Sequence, residues 1–80
     1  MVNMFKKTSL STEKIIERTK EYFGEKGLNL VLTEENPDCL NYEGGGGYVN
    51  INICKDGNEN RIDVVSVEWE KQVKDFLTKL

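Results

Sequence analysis

Histidine is absent from this chain of 80 residues. Its absence excludes a His-based triad, an imidazole general base and a His metal ligand. Long apolar runs are missing too, and none approaches the ~20 residues that cross a bilayer. The opening MVNMFKKTSL lacks the apolar stretch of a secretory signal, so a cytoplasmic location is expected. Basic residues are outnumbered, with 11 Lys and Arg against 14 Asp and Glu and a formal net charge of −3. An acidic chain is not held on nucleic acid by phosphate neutralisation, so neither nucleic acid nor membrane is expected as a partner. Cysteine is scarce. Cys39 and Cys54 do not make the framework of a small secreted scaffold, and free thiols are expected.

What remains is enough for one folded domain. Hydrophobic residues make up 38% and charged residues 31%, a balance that allows burial and argues against disorder. A single core in a chain near or below ~70–80 residues supplies only a few kcal/mol of net stability. Binding of a partner to the native state would add to that.

Residues 1–10 show no hydrophobic period and read as an N-terminal arm, docked or disordered. Residues 11–80 read as one domain. A helix is expected over 11–26, with Ser11 as N-cap, Glu13 in the first turn and Gly27 as the stop. Ile15, Ile16, Thr19, Tyr22 and Phe23 form its apolar stripe. Residues 28–34 alternate as a strand, and Glu35-Asn36-Pro37-Asp38 is a turn. Residues 39–45 and 48–54 pair across a Gly46-Gly47 hairpin, which sets Leu40 against Ile53, Tyr42 against Ile51 and Cys39 against Cys54. A second hairpin at Asp56-Gly57 sets Ile51 against Ile62 and Val49 against Val64. A final helix is expected over 67–80, with Ser66 as N-cap and Trp69, Val73, Phe76, Leu77 and Leu80 on one stripe.

The expected fold class is therefore α+β: a two-layer sandwich of helix, four-stranded antiparallel meander in the order 1-2-3-4, and helix, with both helices on one sheet face. Leu28, Leu30, Leu32, Leu40, Tyr42, Val49, Ile51, Ile53, Ile62 and Val64 form the buried side. The other side stays open. Its middle rows read Glu43–Asn50–Asp63 and Asn41–Asn52–Arg61, with Tyr48, Val31, Val65 and the two cysteines nearby.

That open face is the candidate functional surface, and Glu43, Tyr48, Asn50, Asn52, Arg61 and Asp63 are its candidate binding residues. An antiparallel sheet commonly leaves one face solvated, yet this one is less polar than solvation alone requires. Glu43 and Asp63 are the nearest approach to a carboxylate pair. They would flank Asn50 on an open sheet with nothing to exclude water, so catalysis is not expected of them. The run Gly44-Gly45-Gly46-Gly47 lacks the strand-to-helix context of a phosphate loop, because Tyr48-Val49-Asn50-Ile51 continues as a strand. It reads as a hairpin whose glycines allow twist, a bulge or close approach of a helix. Two cysteines do not complete a zinc site. Trp69 reads as core, and Lys71, Lys74 and Lys79 as a solvated helix face. No catalytic residue, metal or cofactor is assigned.

The order of helix, strands and helix is similar to that of the double-stranded-RNA-binding domain. That family opens its last helix with a lysine cluster, whereas Ser66-Val67-Glu68-Trp69-Glu70-Lys71 presents two carboxylates first, and four strands replace three. RNA binding is therefore not expected. Residues 14–80 resemble a group of short uncharacterised archaeal and bacterial proteins. The resemblance is carried by Cys39-Leu40-Asn41-Tyr42-Glu43-Gly44-Gly45-Gly46-Gly47-Tyr48-Val49 and by Glu68-Trp69-Glu70-Lys71-Gln72-Val73. It implies a stand-alone small domain and supplies no catalytic residue. The expected function is a small non-enzymatic module that binds a protein partner, or a second copy as a homodimer, through the helix-free face. The alternative is a small polar ligand held on the same face.

Overall fold

A computed structural model describes residues 1–80. The order of elements is β1 (Val2–Thr8), α1 (Thr12–Phe23), β2 (Val31–Asn36), β3 (Cys39–Gly44), β4 (Gly47–Asp56), β5 (Glu59–Val67) and α2 (Glu70–Thr78). All strand pairs are antiparallel, and the single sheet has the order β1-β5-β4-β3-β2. This overturns the expected four-stranded sheet of order 1-2-3-4. Residues 1–10 are the cause, because they supply an edge strand that returns to pair with β5. Val2 lies opposite Ser66, Met4 opposite Val64 and Thr8 opposite Asn60. The strand shows no period in the sequence because its apolar residues fall on both sides. Val2 and Met4 point toward the helices, while Phe5 points away and is 59% exposed.

The helices are short, with 12 residues in α1 and nine in α2. Ser11 caps α1 as expected, its hydroxyl accepting from the Lys14 amide at 3.2 Å. The helix ends at Phe23 with Gly24 as C-cap, earlier than the expected stop at Gly27. The loop that follows turns back on the helix: the amides of Leu28, Asn29 and Leu30 donate to the carbonyls of Tyr22, Gly24 and Phe23, each at 2.8 Å. Those bonds satisfy carbonyls at the end of the helix and take Leu28 and Leu30 out of the expected strand. Helix α2 is also shorter than expected, and Ser66 is not its cap. Ser66 is buried inside β5 opposite Val2 and Val49, and its hydroxyl has no partner. The chain turns instead at Glu68, which takes a left-handed φ of 74°, and Trp69 precedes the helix without a side-chain cap.

Each hairpin turn lies one residue away from its expected position. Gly45 and Gly46, with φ of 59° and 81°, form the β3–β4 turn, so Leu40 faces Ile51, Tyr42 faces Val49 and Cys39 faces Asn52. Both positive angles suit a primed hairpin turn, which glycine adopts without steric cost. Likewise Gly57-Asn58 closes β4–β5, and Ile51 faces Val64. Each register moves by two, an even number, so every side chain keeps its face. One core then joins Leu40, Tyr42, Val49, Ile51, Ile53, Ile62 and Val64 from the sheet with Ile15 and Phe23 of α1 and Val73, Phe76 and Leu77 of α2. Each fully buried side chain of this kind contributes roughly 1.5–3 kcal/mol by leaving water. Trp69 packs against the edge of this core, and its indole N–H donates to the Gly44 carbonyl at 2.9 Å. No helix is long and apolar enough to cross a membrane.

Candidate functional site

The helix-free face is built by alternation. β4 is the middle strand, and its outward residues Tyr48, Asn50, Asn52 and Cys54 form the centre line. The register lays neighbours beside each. Tyr48 sits between Glu43 and Val67, Asn50 between Asn41 and Val65, Asn52 between Cys39 and Asp63, and Cys54 beside Arg61. β1 extends these rows with Asn3 beside Val65, Phe5 beside Asp63 and Lys7 beside Arg61. On the far edge Val31 lies beside Glu43.

This arrangement corrects the expected rows. Glu43 and Asp63 do not flank Asn50, since Glu43 faces Tyr48 while Asp63 faces Asn52. Asn41, Asn52 and Arg61 do not share a row either: Asn41 faces Asn50, Asn52 faces Cys39 and Asp63, and Arg61 faces Cys54. Cys39 and Cys54 do not face each other, and both are free. The two-residue change of register across each hairpin accounts for all three differences.

The polar groups bond mainly to one another. The Asn52 amide donates to Asn50 Oδ1 at 2.8 Å, Asn50 to Asn41 Oδ1 at 3.3 Å, and Asn41 to Thr33 Oγ1 at 2.8 Å. A carboxamide chain thus runs from the middle strand to the β2 edge. Asn41 also donates to Glu43 at 3.3 Å, and Asn50 to the Cys39 sulfur at 3.8 Å. Arg61 donates to Asp63 at 3.1 Å and lies 4.2 Å above the Phe5 ring centre. Lys7 pairs with Asp56 at 3.1 Å. Tyr48 reaches the Met1 sulfur at 3.8 Å.

Of the expected binding residues, Arg61 and Asp63 line a shallow cavity of about 310 Å³ together with Asn3, Phe5 and Val65. Glu43, Tyr48, Asn50 and Asn52 lie outside it and do not converge with them. No three His, Cys, Asp or Glu side chains gather to hold a metal ion. Sequence reasoning missed Met1, Asn3, Phe5, Lys7 and Val67. Their signal was the alternation of Asn3, Phe5 and Lys7 with Val2, Met4 and Lys6, masked because both sets contain apolar residues.

A groove of about 680 Å³ separates the ends of the two helices and is lined by Arg18, Tyr22, Leu28, Phe76 and Lys79 among others. Two of its polar contacts, from Tyr22 and Arg18, join the helices. The Tyr22 hydroxyl donates to Asp75 at 2.8 Å, Lys79 pairs with Asp75 at 3.2 Å, and Arg18 donates to the Lys79 carbonyl at 3.2 Å. Burial pushes the Tyr22 phenol up to about 12, and the hydrogen bond to the Asp75 carboxylate and its negative charge add to the rise. Asp75 is lowered, first by the hydrogen bond from Tyr22 and then by Lys79. Tyr42 is raised by burial and by the charge of Glu35.

A scan against protein-family models finds no matching family, and a search of curated proteins finds no relative.

Proposed function

We propose that this chain is a non-enzymatic interaction module whose contact surface is the helix-free sheet face. One observation carries the reading. Met1, Phe5 and Val31 are 83%, 59% and 65% exposed, they are the large hydrophobic side chains left in water, and all three lie on that face. Exposure of all three on one face, at its two margins, supports a contact surface there. Val65, Val67 and Tyr48, each half-buried, extend the apolar character between them. The polar groups support the same reading. Glu43, Asn50 and Asn52 are held by neighbours on the face and do not converge with Arg61 and Asp63 on the one shallow cavity there, which suits a broad contact better than a small-ligand site.

Parallel affinity capture tests this, with the wild-type chain, a Phe5→Lys/Val31→Lys variant and a Lys71→Ala control as baits, against both cell extract and a differently tagged copy of the chain. A bound protein or second copy, retained by the control and lost with the double variant, is expected. Capture of nothing, or equal capture by all three baits, would overturn the reading.

A further inference from the structure

We infer that the occupant of the helix-free face is a second copy of this chain, packed sheet to sheet about a two-fold axis that runs along β4 past Asn52. The inference rests on the reading of that face as a contact surface and names its partner.

A two-fold contact sets a surface against itself, so the surface must be self-complementary. Three features meet that condition. The first is charge. Lys7 is paired with Asp56 and Arg61 with Asp63, while Glu43 accepts from Asn41, so the face carries its ion pairs internally and opposes no unpaired cation to its own image. The second is the carboxamide chain. Both N–H groups of Asn41 and both of Asn50 have partners, whereas Asn52 donates only one and nothing donates to its Oδ1. A primary amide with one free donor and one free acceptor pairs with its own copy across a two-fold axis. Asn52 is placed to do so because β4 is the middle strand of five.

The third feature is the placement of apolar residues at opposite edges. Met1, at the Tyr48 hydroxyl, and Phe5 lie on the β1 side, and Val31 lies on the β2 side. An axis along β4 exchanges the two sides and brings the β1 margin of one copy over the β2 margin of the other. An axis across the strands would instead set Lys7 and Arg61 toward the same strands of the partner. Five strands at ~4.8 Å spacing and about six residues at ~3.3 Å each give a footprint of roughly 24 by 20 Å. Two copies therefore bury on the order of 1,000 Å², near the lower bound for a specific interface. The dimer is expected to dissociate on dilution.

Sedimentation equilibrium on the purified chain is the first measurement, alongside Asn52→Asp, which sets two like charges together at the axis. The expected result is a reversible monomer–dimer equilibrium that Asn52→Asp weakens about tenfold or more. Circular dichroism, and equal melting temperatures at a dilution where both chains are monomeric, check that the variant remains folded. The second measurement is Asn52→Cys in a Cys39→Ser/Cys54→Ser background under mild oxidation. It should form a covalent dimer, whereas Lys71→Cys, on the helix layer, should not in the same background. A purified chain that stays monomeric at millimolar concentration overturns self-association. If the face then still captures a different protein, the interaction reading survives without it. A dimer that is indifferent to Asn52→Asp and yields no Asn52→Cys cross-link also overturns the proposal, because the copies then meet elsewhere.

Discussion

Single atoms decide how much change the four-glycine run tolerates. Gly46 has a φ of 81° and open space where a side chain would stand, so Gly46→Ala incurs backbone strain alone, roughly 1–2 kcal/mol. At Gly47 an added Cβ would lie 2.0 Å from the Val67 carbonyl oxygen and 2.7 Å from the Glu68 Cβ. Backbone cannot give way as a flexible side chain does, and Gly47→Ala is expected to cost at least about 3 kcal/mol. Urea titrations of the two variants check the ranking, and equal midpoints would refute it. Tyr22 offers a second test at this scale. Its folded pKa of about 12 lies above the ordinary phenol value near ~10, so its contribution to stability is fully present below ~10. That contribution is lost as pH rises through about 12, because the unfolded chain ionises first. Melting temperature should fall over this window, and Tyr22→Phe should make the fall shallower. Tyr42, also raised, leaves a residual slope. Asp75 has the opposite sign. Its lowered pKa contributes stability at neutral pH that disappears in acid, and Asp75→Asn should flatten the acid limb of the same melts.

Among the elements, the β3–β4 hairpin and the entry to α2 hold each other. The left-handed Glu68 swings the chain over Gly47, and Trp69 then lays its ring across Gly45 and donates to Gly44. This joint commits the Gly44 carbonyl and one side of Gly45 to the indole, while Gly46 stays open. Trp69→Phe keeps an aromatic ring and loses the hydrogen bond, a cost of roughly 0.5–1.5 kcal/mol. Trp69→Ala also leaves a void, and roughly 3–5 kcal/mol is expected. The chain holds one tryptophan, so its fluorescence follows this joint directly during unfolding. If Trp69→Phe and Trp69→Ala unfold at the same denaturant concentration, packing of the indole contributes nothing and the joint is not as described. The alternation in β3, β4 and β5 was legible from sequence because Leu40, Ile51 and Val64 alternate with Asn41, Asn52 and Asp63. The ends of the helices were not legible. Ser66 and Gly27 have the chemistry of a cap and a stop, but the sheet draws Ser66 into β5, and the loop after α1 bonds to the helix from Gly24 onward.

Over the whole molecule, β1 closes the sheet against β5 and covers one side of the core with Met4. Thr8 accepts from the Leu10 amide and donates to the Leu80 carbonyl, while Asn60 donates to the Leu10 carbonyl, so both ends of the chain are tied to this edge. Deletion of residues 1–8 should expose the β5 edge and yield a chain that aggregates or fails to melt cooperatively. A truncated chain with the melting temperature of the full one would show that β1 is dispensable. The two edge strands carry charge that discourages unwanted pairing: Lys6 and Lys7 on β1, and Glu34 and Glu35 beside the bulge in β2. With both edges guarded, the helix-free face is the surface on which a partner is proposed.

The amino-acid order alone set which side of each central strand is oily, because a period of two survives any even error in register. It placed Asn41, Asn50, Asn52, Arg61 and Asp63 on the open face for the same reason. Which of them stand side by side was settled in three dimensions by turns of two residues, whose backbone angles depend on how the flanking strands twist and pair. The fifth strand was settled there as well. Residues 2–8 are apolar on both sides and have no local preference strong enough to declare a strand. They become one when a β5 edge, more than fifty residues away along the chain, offers its hydrogen bonds.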